Sequence, residues 1–340
     1  MKKLLIITDV WHPQVNGVLI IFNNLIRILE KNGFEIKIIH PGMFKNFPFP
    51  LYPEIKIPLA TQSKVYAMIH KENPDYIHIL TEGVLGFQAR SVCKKNKLKF
   101  TTSFHTEFAL YLPLYLGLNI KLISKIVYEY LRWFHGAAVN VTVPTNSLKI
   151  KLEKLGFKNL SICPNGVDLD LFRIRSEDVL LQFPRPIFLY LGRLAVEKNI
   201  EEFLKCSLTG TKVVVGDGPL RKTLEQRYKN TATFLGYKKG EELAGILSSA
   251  DVLVFPSHTD TFGLTIIEAL ACGVPVAAHA VTGPIDIISD GVDGILDENL
   301  EKAAFQCLSL SRNACRSKAL QYSWDIVTQK FMEVLSHAKL

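Results

Sequence analysis

The chain has 340 residues, which is long for one globular core and indicates two domains of ~100 to 200 residues each. Apolar residues make up 48% and charged residues 21%, which is enough to form buried cores. No stretch reaches the ~18 uncharged apolar residues that a bilayer-spanning helix requires, and the N-terminus runs into a strand pattern without a cleavage site. These features argue against a transmembrane or secreted protein, and we expect one retained in the cytoplasm.

The six cysteines are scattered along the chain. They form no Cys-x-x-Cys pair, and no histidines lie beside them at metal-ligand spacing. This pattern favours reduced structural thiols and indicates neither a disulfide framework nor a zinc site.

The net charge of +8 is unevenly distributed. Residues 1–165 carry 21 Lys and Arg against 10 Asp and Glu, whereas residues 166–340 carry 19 against 22. The basic half is suited to an anionic partner such as a membrane surface, where each nearby cation contributes roughly 1 kcal/mol. A solvated, lysine-rich surface explains the same asymmetry, so both interpretations stay open.

Short apolar runs alternate with longer helical patterns in the first half of the chain. Strands are predicted at residues 3–8, 35–39, 76–80 and 100–104, with a helix at 20–31. Such alternation predicts a parallel sheet covered by helices on both faces.

The pattern restarts after the turn at residues 164–168. Further strands are predicted at residues 186–191, 211–215, 251–255 and 274–278. The chain is therefore predicted to be an α/β protein of two Rossmann-like, doubly wound domains, 1–165 and 166–322, facing across a cleft. Ligands of such sheets bind beyond the carboxyl ends of the strands.

A basic loop follows the first strand of the second domain. Arg193 and Lys198 project from this strand-to-helix loop, just before a helical pattern that opens at Asn199. Two cations and the N–H groups of a helix start would bind a diphosphate, with charge-assisted bonds worth ~1.5 to 3 kcal/mol each. Taken alone, the pair is more often an ordinary surface feature.

A second loop leads into a helix predicted at residues 264–272. Phe262 and Gly263 would expose backbone N–H groups toward a ligand phosphate. Three polar residues before the helix are candidates for its N-cap: Thr259, Asp260 and Thr261.

Glu268 lies within this otherwise apolar helix. A buried carboxylate needs hydrogen-bond donors, and the hydroxyls of a ribose would supply them. A solvent-facing position on a half-exposed helix is the alternative.

Two features of the first domain are further candidates. His105 follows a predicted strand at its carboxyl end, the edge where ligands bind, although a lone histidine is more often structural. The loop at residues 9–18 contains Asn16 and Gly17, which permit close approach of backbone to a ligand. It lacks the G-x-G-x-x-G fingerprint of dinucleotide-binding domains. The segment at 216–218 lacks the third glycine of that fingerprint. A tight turn is enough to explain the two glycines that it has.

The segment 108–134 is rich in Leu, Ile and aromatic residues but is interrupted by charges. It fits an amphipathic segment at a membrane interface better than a spanning helix. A face for packing between helices is the alternative.

The ordered set of motifs strongly resembles family 4 of the retaining glycosyltransferases, which have the two-domain GT-B fold. The resemblance covers nearly the whole chain. The likeness is greatest to the diacylglycerol glycosyltransferase, sulfoquinovosyltransferase and GDP-mannose-dependent α-mannosyltransferase branch. The motifs are TDVWHPQVNGV (8–18), TEGVLG (81–86), FHT (104–106), PNGVD (164–168), GR (192–193), GDGP (216–219), FLG (234–236) and DTFGLTIIEALACGVP (260–275).

The resemblance implies that the C-terminal domain binds a nucleotide sugar. Arg193 and Lys198 would bind the diphosphate, Glu268 the ribose and Asp260 hydroxyls of the donor sugar. The backbone next to sugar and phosphate would come from Phe262, Gly263 and Leu264, and the loop containing Tyr237 would border the base.

The resemblance also implies that the N-terminal domain binds the acceptor. Gly17 would approach the reacting region, and His105 would lie near the donor sugar and the β-phosphate. The last helix, residues 323–340, would cross back to this domain. Two residues depart from the usual pattern: Asp260 replaces a Glu, and Asn16 replaces a Gly.

The predicted activity is transfer of a hexosyl group from a nucleoside-diphosphate sugar to an acceptor hydroxyl, with formation of an α-glycoside. A membrane lipid such as diacylglycerol is the favoured acceptor, and we expect a peripheral protein on the inner face of the cytoplasmic membrane. No cofactor, essential metal or nucleic-acid partner is expected. The alternatives are transfer of mannose or glucose to a soluble or polyprenol-linked glycan, a sugar-nucleotide epimerase, a non-catalytic membrane-binding protein and, more distantly, a nicotinamide-dependent oxidoreductase.

Overall fold

The computed structural model describes residues 2–12, 17–49, 52–107, 109–110 and 120–340. Contacts divide the chain into two compact units. The first unit contains residues up to Pro164 together with Trp324–Leu340, and the second is Asn165–Ser323. Each unit has its own sheet and core.

The sheet of the first unit has six described strands, all parallel to their neighbours, in the order β2-β1-β5-β6-β7-β8. These strands are β1 (Lys2–Ile7), β2 (Phe34–Ile39), β5 (Tyr76–Ile79), β6 (Thr101–Ser103), β7 (Asn140–Val143) and β8 (Leu160–Ile162). An antiparallel pair, β3 (Asn46–Phe49) and β4 (Tyr52–Pro58), lies apart from this sheet. A short 3₁₀ helix, Pro41–Met43, precedes that pair.

Six described helices belong to the first unit. They are α1 (Gly17–Lys31), α2 (Gln62–Glu72), α3 (Val84–Lys95), α4 (Ile120–His135), α5 (Asn146–Lys154) and α13 (Trp324–Ser336). The last of these packs against α1, and its Phe331 ring lies edge-on to His78 with the ring centres 5.1 Å apart. The final helix of the chain therefore completes the first unit, because its apolar face covers that sheet.

The sheet of the second unit also has six parallel strands, in the order β11-β10-β9-β12-β13-β14. They are β9 (Ile187–Leu191), β10 (Thr211–Val215), β11 (Thr233–Gly236), β12 (Val252–Phe255), β13 (Val276–Ala278) and β14 (Gly294–Leu296). The helices are α6 (Ile200–Lys205), α7 (Arg221–Tyr228), α8 (Gly240–Ser249), α9 (Leu264–Ala271), α10 (Pro284–Ile287), α11 (Leu300–Cys307) and α12 (Arg312–Ala319). Two 3₁₀ turns, Val196–Lys198 and Leu320–Tyr322, complete the unit.

Both faces of the second sheet are buried, as its apolar strand sequences require. Along β9, Ile187 and Leu189 join one core cluster, whereas Phe188 and Tyr190 join the other. Successive side chains of a strand point to opposite faces, so this alternation places one core on each side of the sheet. The predicted doubly wound arrangement is confirmed in each unit.

Every predicted strand is present, with ends that differ by at most two residues. Short strands that the sequence analysis did not identify complete the sheets: β7, β8, β11 and β14. The predicted helix at 20–31 begins earlier, at Gly17.

Candidate functional site

The loops beyond the carboxyl ends of β9 and β12 carry most of the predicted donor-binding residues. Because the strands are parallel, these loops lie along one edge of the second sheet. The edge provides backbone N–H groups, cations and carboxylates within one structural unit, which are the groups that a phosphorylated sugar ligand would use.

The loop after β9 is held by its backbone, whereas the side chain of Arg193 is exposed. The buried Tyr190 hydroxyl donates a hydrogen bond of 2.8 Å to the Arg193 carbonyl oxygen. The N–H of Leu194 bonds to the carbonyl of Asp217 at 2.9 Å. Arg193 therefore extends from a fixed backbone and can reach an anion without moving the loop.

Two glycines let the loop after β10 pack against the Arg193 loop. A Cβ atom on Gly216 would lie 1.9 Å from the carbonyl oxygen of Gly192, and one on Gly218 would lie 2.5 Å from that of Leu194. Both glycines also have positive φ angles. Close packing of two loops, rather than only a tight turn, accounts for the Gly-Asp-Gly sequence, which corrects our interpretation of it.

Lys198 and Asp260 come together although 62 positions separate them. The Lys198 Nζ lies 2.7 Å from the Asp260 Oδ2, and both side chains are half-buried. Lys198 lies in the 3₁₀ turn Val196–Lys198, and Asp260 lies in the loop after β12. The two predicted site residues therefore form an ion pair at the sheet edge.

Helix α9 begins at Leu264 with Gly263 as its N-cap. The N-cap is a glycine and has no capping side chain, so the predicted N-cap at Thr259, Asp260 or Thr261 is wrong. The reason is the left-handed conformation of Gly263 (φ 100°, ψ 70°), which separates those residues from the first turn. The uncapped first turn offers N–H groups to an anion.

Glu268 lies one turn further along α9 and is only partly exposed. Desolvation raises the pKa of its carboxyl group to about 8. Within the described part of the chain, this carboxylate forms no hydrogen bond or ion pair. A desolvated carboxylate without protein donors is suited to hydroxyl donors from a ligand.

Gly283 supports the loop that carries Asp260. A Cβ atom on Gly283 would lie 2.8 Å from the carbonyl oxygen of Phe262 and 3.0 Å from that of Asp260. Its φ angle is +95°, which also favours glycine. The sequence analysis missed this residue, although the Gly-Pro pair at 283–284 is a recognisable turn signal.

The other donor-site candidates occupy distinct positions. Phe262 is buried, and its ring is 5.8 Å from that of Tyr322. Leu264 is the first residue of α9. Tyr237 follows β11, two strands away from β9, and is 53% exposed. Tyr237 therefore belongs to the same sheet edge but to a different part of it.

Gly17 and His105 lie in the first unit, as predicted from their sequence positions. Gly17 begins α1, whereas Asn16 falls outside the described residues. Burial and the nearby His135 lower the pKa of His105 to about 4, so the ring is neutral at pH 7. A neutral imidazole can donate or accept one hydrogen bond without adding charge beside a diphosphate.

Comparisons with known proteins address the family. The model of "Glycosyltransferase Family 4" matches residues 15–171, and that of "Glycosyl transferases group 1" matches residues 175–306. The chain belongs to the family 4 glycosyltransferases. It is 29% identical to sulfoquinovosyl transferase SQD2 of Arabidopsis thaliana over 80% of the chain, and it spans 58% of that relative. It is 28% identical to a GDP-mannose-dependent alpha-mannosyltransferase of Corynebacterium glutamicum, covering 98% of this chain and 86% of the relative.

Solved structures confirm the fold class of this glycosyltransferase. Anabaena HepE in complex with UDP aligns with a TM-score of 0.73 at 17% identity, covering 99% of this chain and all of HepE. Sucrose-phosphate synthase of Thermosynechococcus elongatus aligns with a TM-score of 0.75 at 20% identity, covering 98% of each chain. The GT-B prediction, with two parallel-sheet α/β units, is therefore correct.

Several polar residues of the first glycosyltransferase unit are structural. Asp9 accepts hydrogen bonds from the backbone N–H groups of Leu85 (2.7 Å) and Gly86 (3.2 Å), so it joins the end of β1 to the start of α3. His78 is fully buried between the hydroxyls of Thr101 and Ser103, and desolvation lowers the pKa of His78 to about 3. These contacts explain a polar residue within the otherwise apolar strand β5 and a carboxylate just after β1.

Helix α4 of this glycosyltransferase presents an apolar face to solvent. Its exposed side chains recur every three or four residues: Leu122 (59% exposed), Ile126 (61%), Tyr130 (36%) and Trp133 (46%). The ring of Phe87, on α3, lies 5.7 Å from that of Trp133 and extends the face. We call these five residues the α4 face. The four residues on α4 lie within the predicted interfacial segment 108–134, of which residues 108 and 111–119 lie outside the described residues.

None of the described helices has both the length and the apolar character needed to cross a membrane.

Proposed function

We propose that this protein is a retaining glycosyltransferase that moves a hexosyl group from a nucleoside-diphosphate sugar to a hydroxyl of a membrane lipid such as diacylglycerol. The observation that carries the proposal is the arrangement of Arg193, the Lys198–Asp260 ion pair and Glu268 along one sheet edge. Arg193, Lys198 and Glu268 follow the donor-site pattern that the family resemblance implies, and Asp260 stands where that pattern usually has a Glu.

Transfer breaks the bond between the anomeric carbon and the β-phosphate oxygen. Positive charge grows on the sugar while the diphosphate gains negative charge, so the enzyme must stabilise the leaving group. Arg193 and Lys198 supply cations, and the uncapped first turn of α9 supplies N–H groups. In this proposal these groups replace a divalent metal.

Lys198 would exchange partners when the donor binds. In the structure its ammonium group lies against Asp260. A diphosphate would attract the ammonium group, and the Asp260 carboxylate would then accept hydrogen bonds from hydroxyls of the donor sugar. The ion pair therefore keeps both side chains oriented before the donor arrives.

Glu268 would bind the ribose of the donor. Its desolvated carboxyl group lacks protein donors, whereas the two ribose hydroxyls can each donate a hydrogen bond to it. A pKa of about 8 leaves the group mostly protonated at pH 7. Ribose binding would favour its ionised form, because each charge-assisted bond contributes ~1.5 to 3 kcal/mol.

The retained configuration follows from attack on the face that the diphosphate leaves. The acceptor oxygen forms the new bond to the anomeric carbon, and its proton passes to an oxygen of the departing β-phosphate. The products are an α-glycoside and a nucleoside diphosphate. Neutral His105, in the first unit, would bind near the sugar and phosphate without contributing charge.

A lipid acceptor is favoured by the α4 face and by the basic charge of the first unit. Trp and Tyr residues beside exposed Leu and Ile suit the boundary between headgroups and acyl chains. Similar chains include alpha-monoglucosyldiacylglycerol synthases of Streptococcus pneumoniae and Acholeplasma laidlawii. The first unit would bind the acceptor, and the protein would act as a peripheral enzyme on the inner face of the cytoplasmic membrane.

Transfer of mannose is the second candidate. Mannosyltransferases that use GDP-mannose are among the similar chains and align with 97% to 98% of this one. A soluble or polyprenol-linked glycan is the alternative acceptor for that activity.

A donor and acceptor screen tests the proposal directly. The full chain is incubated with labelled UDP- and GDP-sugars, with and without vesicles that contain diacylglycerol, and products are identified by mass. A labelled α-glycolipid formed only with vesicles supports lipid transfer. A rearranged sugar nucleotide without an acceptor would instead identify an epimerase.

The roles of the two cations are tested by substitution. Arg193→Ala and Lys198→Ala should each lower the transfer rate by about 10²- to 10³-fold, because each removes charge that stabilises the leaving group. Circular dichroism should show the fold retained. Lys222→Ala, at an exposed lysine on α7, serves as the matched control and should keep wild-type turnover. Wild-type turnover in either cation variant would contradict the assignment.

A further inference from the structure

A cluster of two histidines and a glutamate lies beside the donor-site loops, and the proposed transfer does not use it. Glu202 is on α6, His258 follows β12, and His279 follows β13. Their side-chain ligand atoms all lie within 4.8 Å of one another. We call this set the His–Glu cluster.

The three side chains meet through their polar atoms. The His279 Nε2 lies 2.9 Å from Glu202 Oε1, and the His258 Nε2 lies 3.6 Å from Glu202 Oε2. The two imidazole rings are stacked, with centres 4.2 Å apart and planes at 17°. Both rings therefore present the same nitrogen to one carboxylate.

We propose that the His–Glu cluster binds a divalent transition-metal ion of the Zn²⁺ class. Two histidines and a glutamate are an established ligand set for zinc, and they leave one position for water. Ligands on a tetrahedral zinc ion are about 3.3 Å apart, given bond lengths of about 2.0 to 2.1 Å. The observed distances of 2.9 Å and 3.6 Å, to the two oxygens of Glu202, lie on either side of that value. The rings are stacked, so the half-exposed His258 would rotate out of the stack until the in-plane lone pairs of both rings meet at one ion.

Neighbouring groups support an ion at this position. The amide of Asn199 donates hydrogen bonds to the Glu202 carboxylate and to the carbonyl of Pro256, which fixes the carboxylate in place. Glu202 also lines a surface pocket of about 430 Å³ to which Glu298 and Glu301 contribute. Lys205 also lines this pocket, which stays net acidic, and an acidic surface raises the local concentration of cations. The half-exposed side chain of His258 gives an ion access to the cluster from solvent.

The His–Glu cluster lies close in sequence to the two loops that carry the proposed donor-binding residues. His258 is two residues before Asp260, and α6 begins two residues after Lys198. A bound ion would link α6 to the loops after β12 and β13. It is an accessory ion, distinct from the proposed leaving-group cations, and it would restrict movement of the Asp260 loop.

Metal titration of the full chain without a histidine tag tests the proposal. The protein is stripped with a chelator and then titrated with Zn²⁺ against a chromophoric competitor, which reports binding without any activity assay. We expect one tight site per chain. His258→Ala should weaken the binding at least about tenfold, since it removes one of three ligands. His258 is 52% exposed, so this substitution should leave the fold intact.

Two further variants separate this site from other zinc binding. His337→Ala removes an exposed histidine of the first unit and should leave Zn²⁺ affinity unchanged. Cys206→Ser removes a thiol whose Sγ lies 3.3 Å from the Glu202 carbonyl, and it should also leave the affinity unchanged. Absence of a tight site, wild-type affinity in His258→Ala, or loss of binding in Cys206→Ser would each overturn the proposal.

Discussion

Glu268 combines two properties that follow from its place on α9. Neighbouring positions on this helix are fully buried, including Ile267 and Ala269, so the carboxyl group is drawn into a desolvated environment. The pKa of Glu268 rises to about 8 for that reason. A residue that destabilises the fold when it is charged is suited to a role in binding, because ligand hydroxyls compensate the lost hydration.

The pKa of Glu268 predicts how stability depends on pH. The folded state holds the proton more tightly than the unfolded state, whose ordinary value is 4.5. This stabilisation is fully present below pH 4.5 and is lost as the pH rises through 8. Relative to Glu268→Gln, which stays neutral, the wild-type free energy of unfolding should fall by up to roughly 1.4 kcal/mol per pH unit in that range. Urea denaturation at pH 5, 6.5 and 8 measures the difference.

The control for this prediction is Glu177→Gln, at an exposed carboxylate of the same unit. Its difference from wild type should stay nearly constant across the same pH range, since an exposed carboxylate keeps its hydration. A constant difference for Glu268→Gln as well would show that the carboxyl group is hydrated in the folded protein.

At the scale of elements, the sequence predicted the longer strands well. It did not predict which loops contact one another in the folded protein. Long apolar runs such as β1 and β10 were identified because alternation with helices leaves few other interpretations. Strands of three or four residues, such as β8 and β14, carry too few residues to show a period. The sheets that they complete are set by packing, which local sequence does not encode.

The same limit applies to the candidate site. Arg193, Lys198, Asp260 and Glu268 were identified through their family pattern, but the ion pair between Lys198 and Asp260 joins residues far apart in the chain. The three members of the His–Glu cluster are likewise 77 positions apart at most, and only the sheet order brings them together. The incorrect N-cap has a local cause, since the left-handed Gly263 was not evident from the residues around it.

Gly283 provides a test of how the loop after β12 is supported. In Gly283→Ala the new methyl group would meet the carbonyl oxygens of Phe262 and Asp260 and displace the loop that carries Asp260. A displacement of this kind should lower the transfer rate at least about tenfold, because catalysis depends on close positioning. Initial rates with a saturating acceptor and varied donor measure the effect.

Gly291→Ala is the matched control for this backbone effect. Gly291 also has a positive φ angle (+76°), but no atom lies within 4 Å of an added Cβ. Both variants should lose about 1 to 2 kcal/mol of stability through backbone strain, whereas only Gly283→Ala should lose activity. Equal activity losses would mean that strain alone, and not contact with the Asp260 loop, is responsible.

For the whole molecule, the two units differ in charge and in surface character. Residues 1–164 and 324–340, the first unit, carry 23 Lys and Arg against 12 Asp and Glu, whereas residues 165–323, the second unit, carry 17 against 20. The α4 face belongs to the basic unit, with exposed Lys125 and Arg132 on the same helix. Apolar insertion and electrostatic attraction would therefore act on the same unit, and two signals together give stable attachment to anionic membranes.

Substitution within the α4 face tests this membrane role. The double variant Leu122→Ser/Ile126→Ser should bind vesicles with anionic lipid at least about tenfold more weakly. Full burial of each apolar side chain contributes ~1.5 to 3 kcal/mol, so loss of even part of that energy at two positions gives such a change. Vesicle flotation measures the bound fraction. Leu181→Ser, at a leucine of the second unit that is 79% exposed, is the matched control and should float like wild type. If the double variant also floats like wild type, the apolar side chains of α4 do not enter the membrane, and the basic charge alone would have to account for attachment.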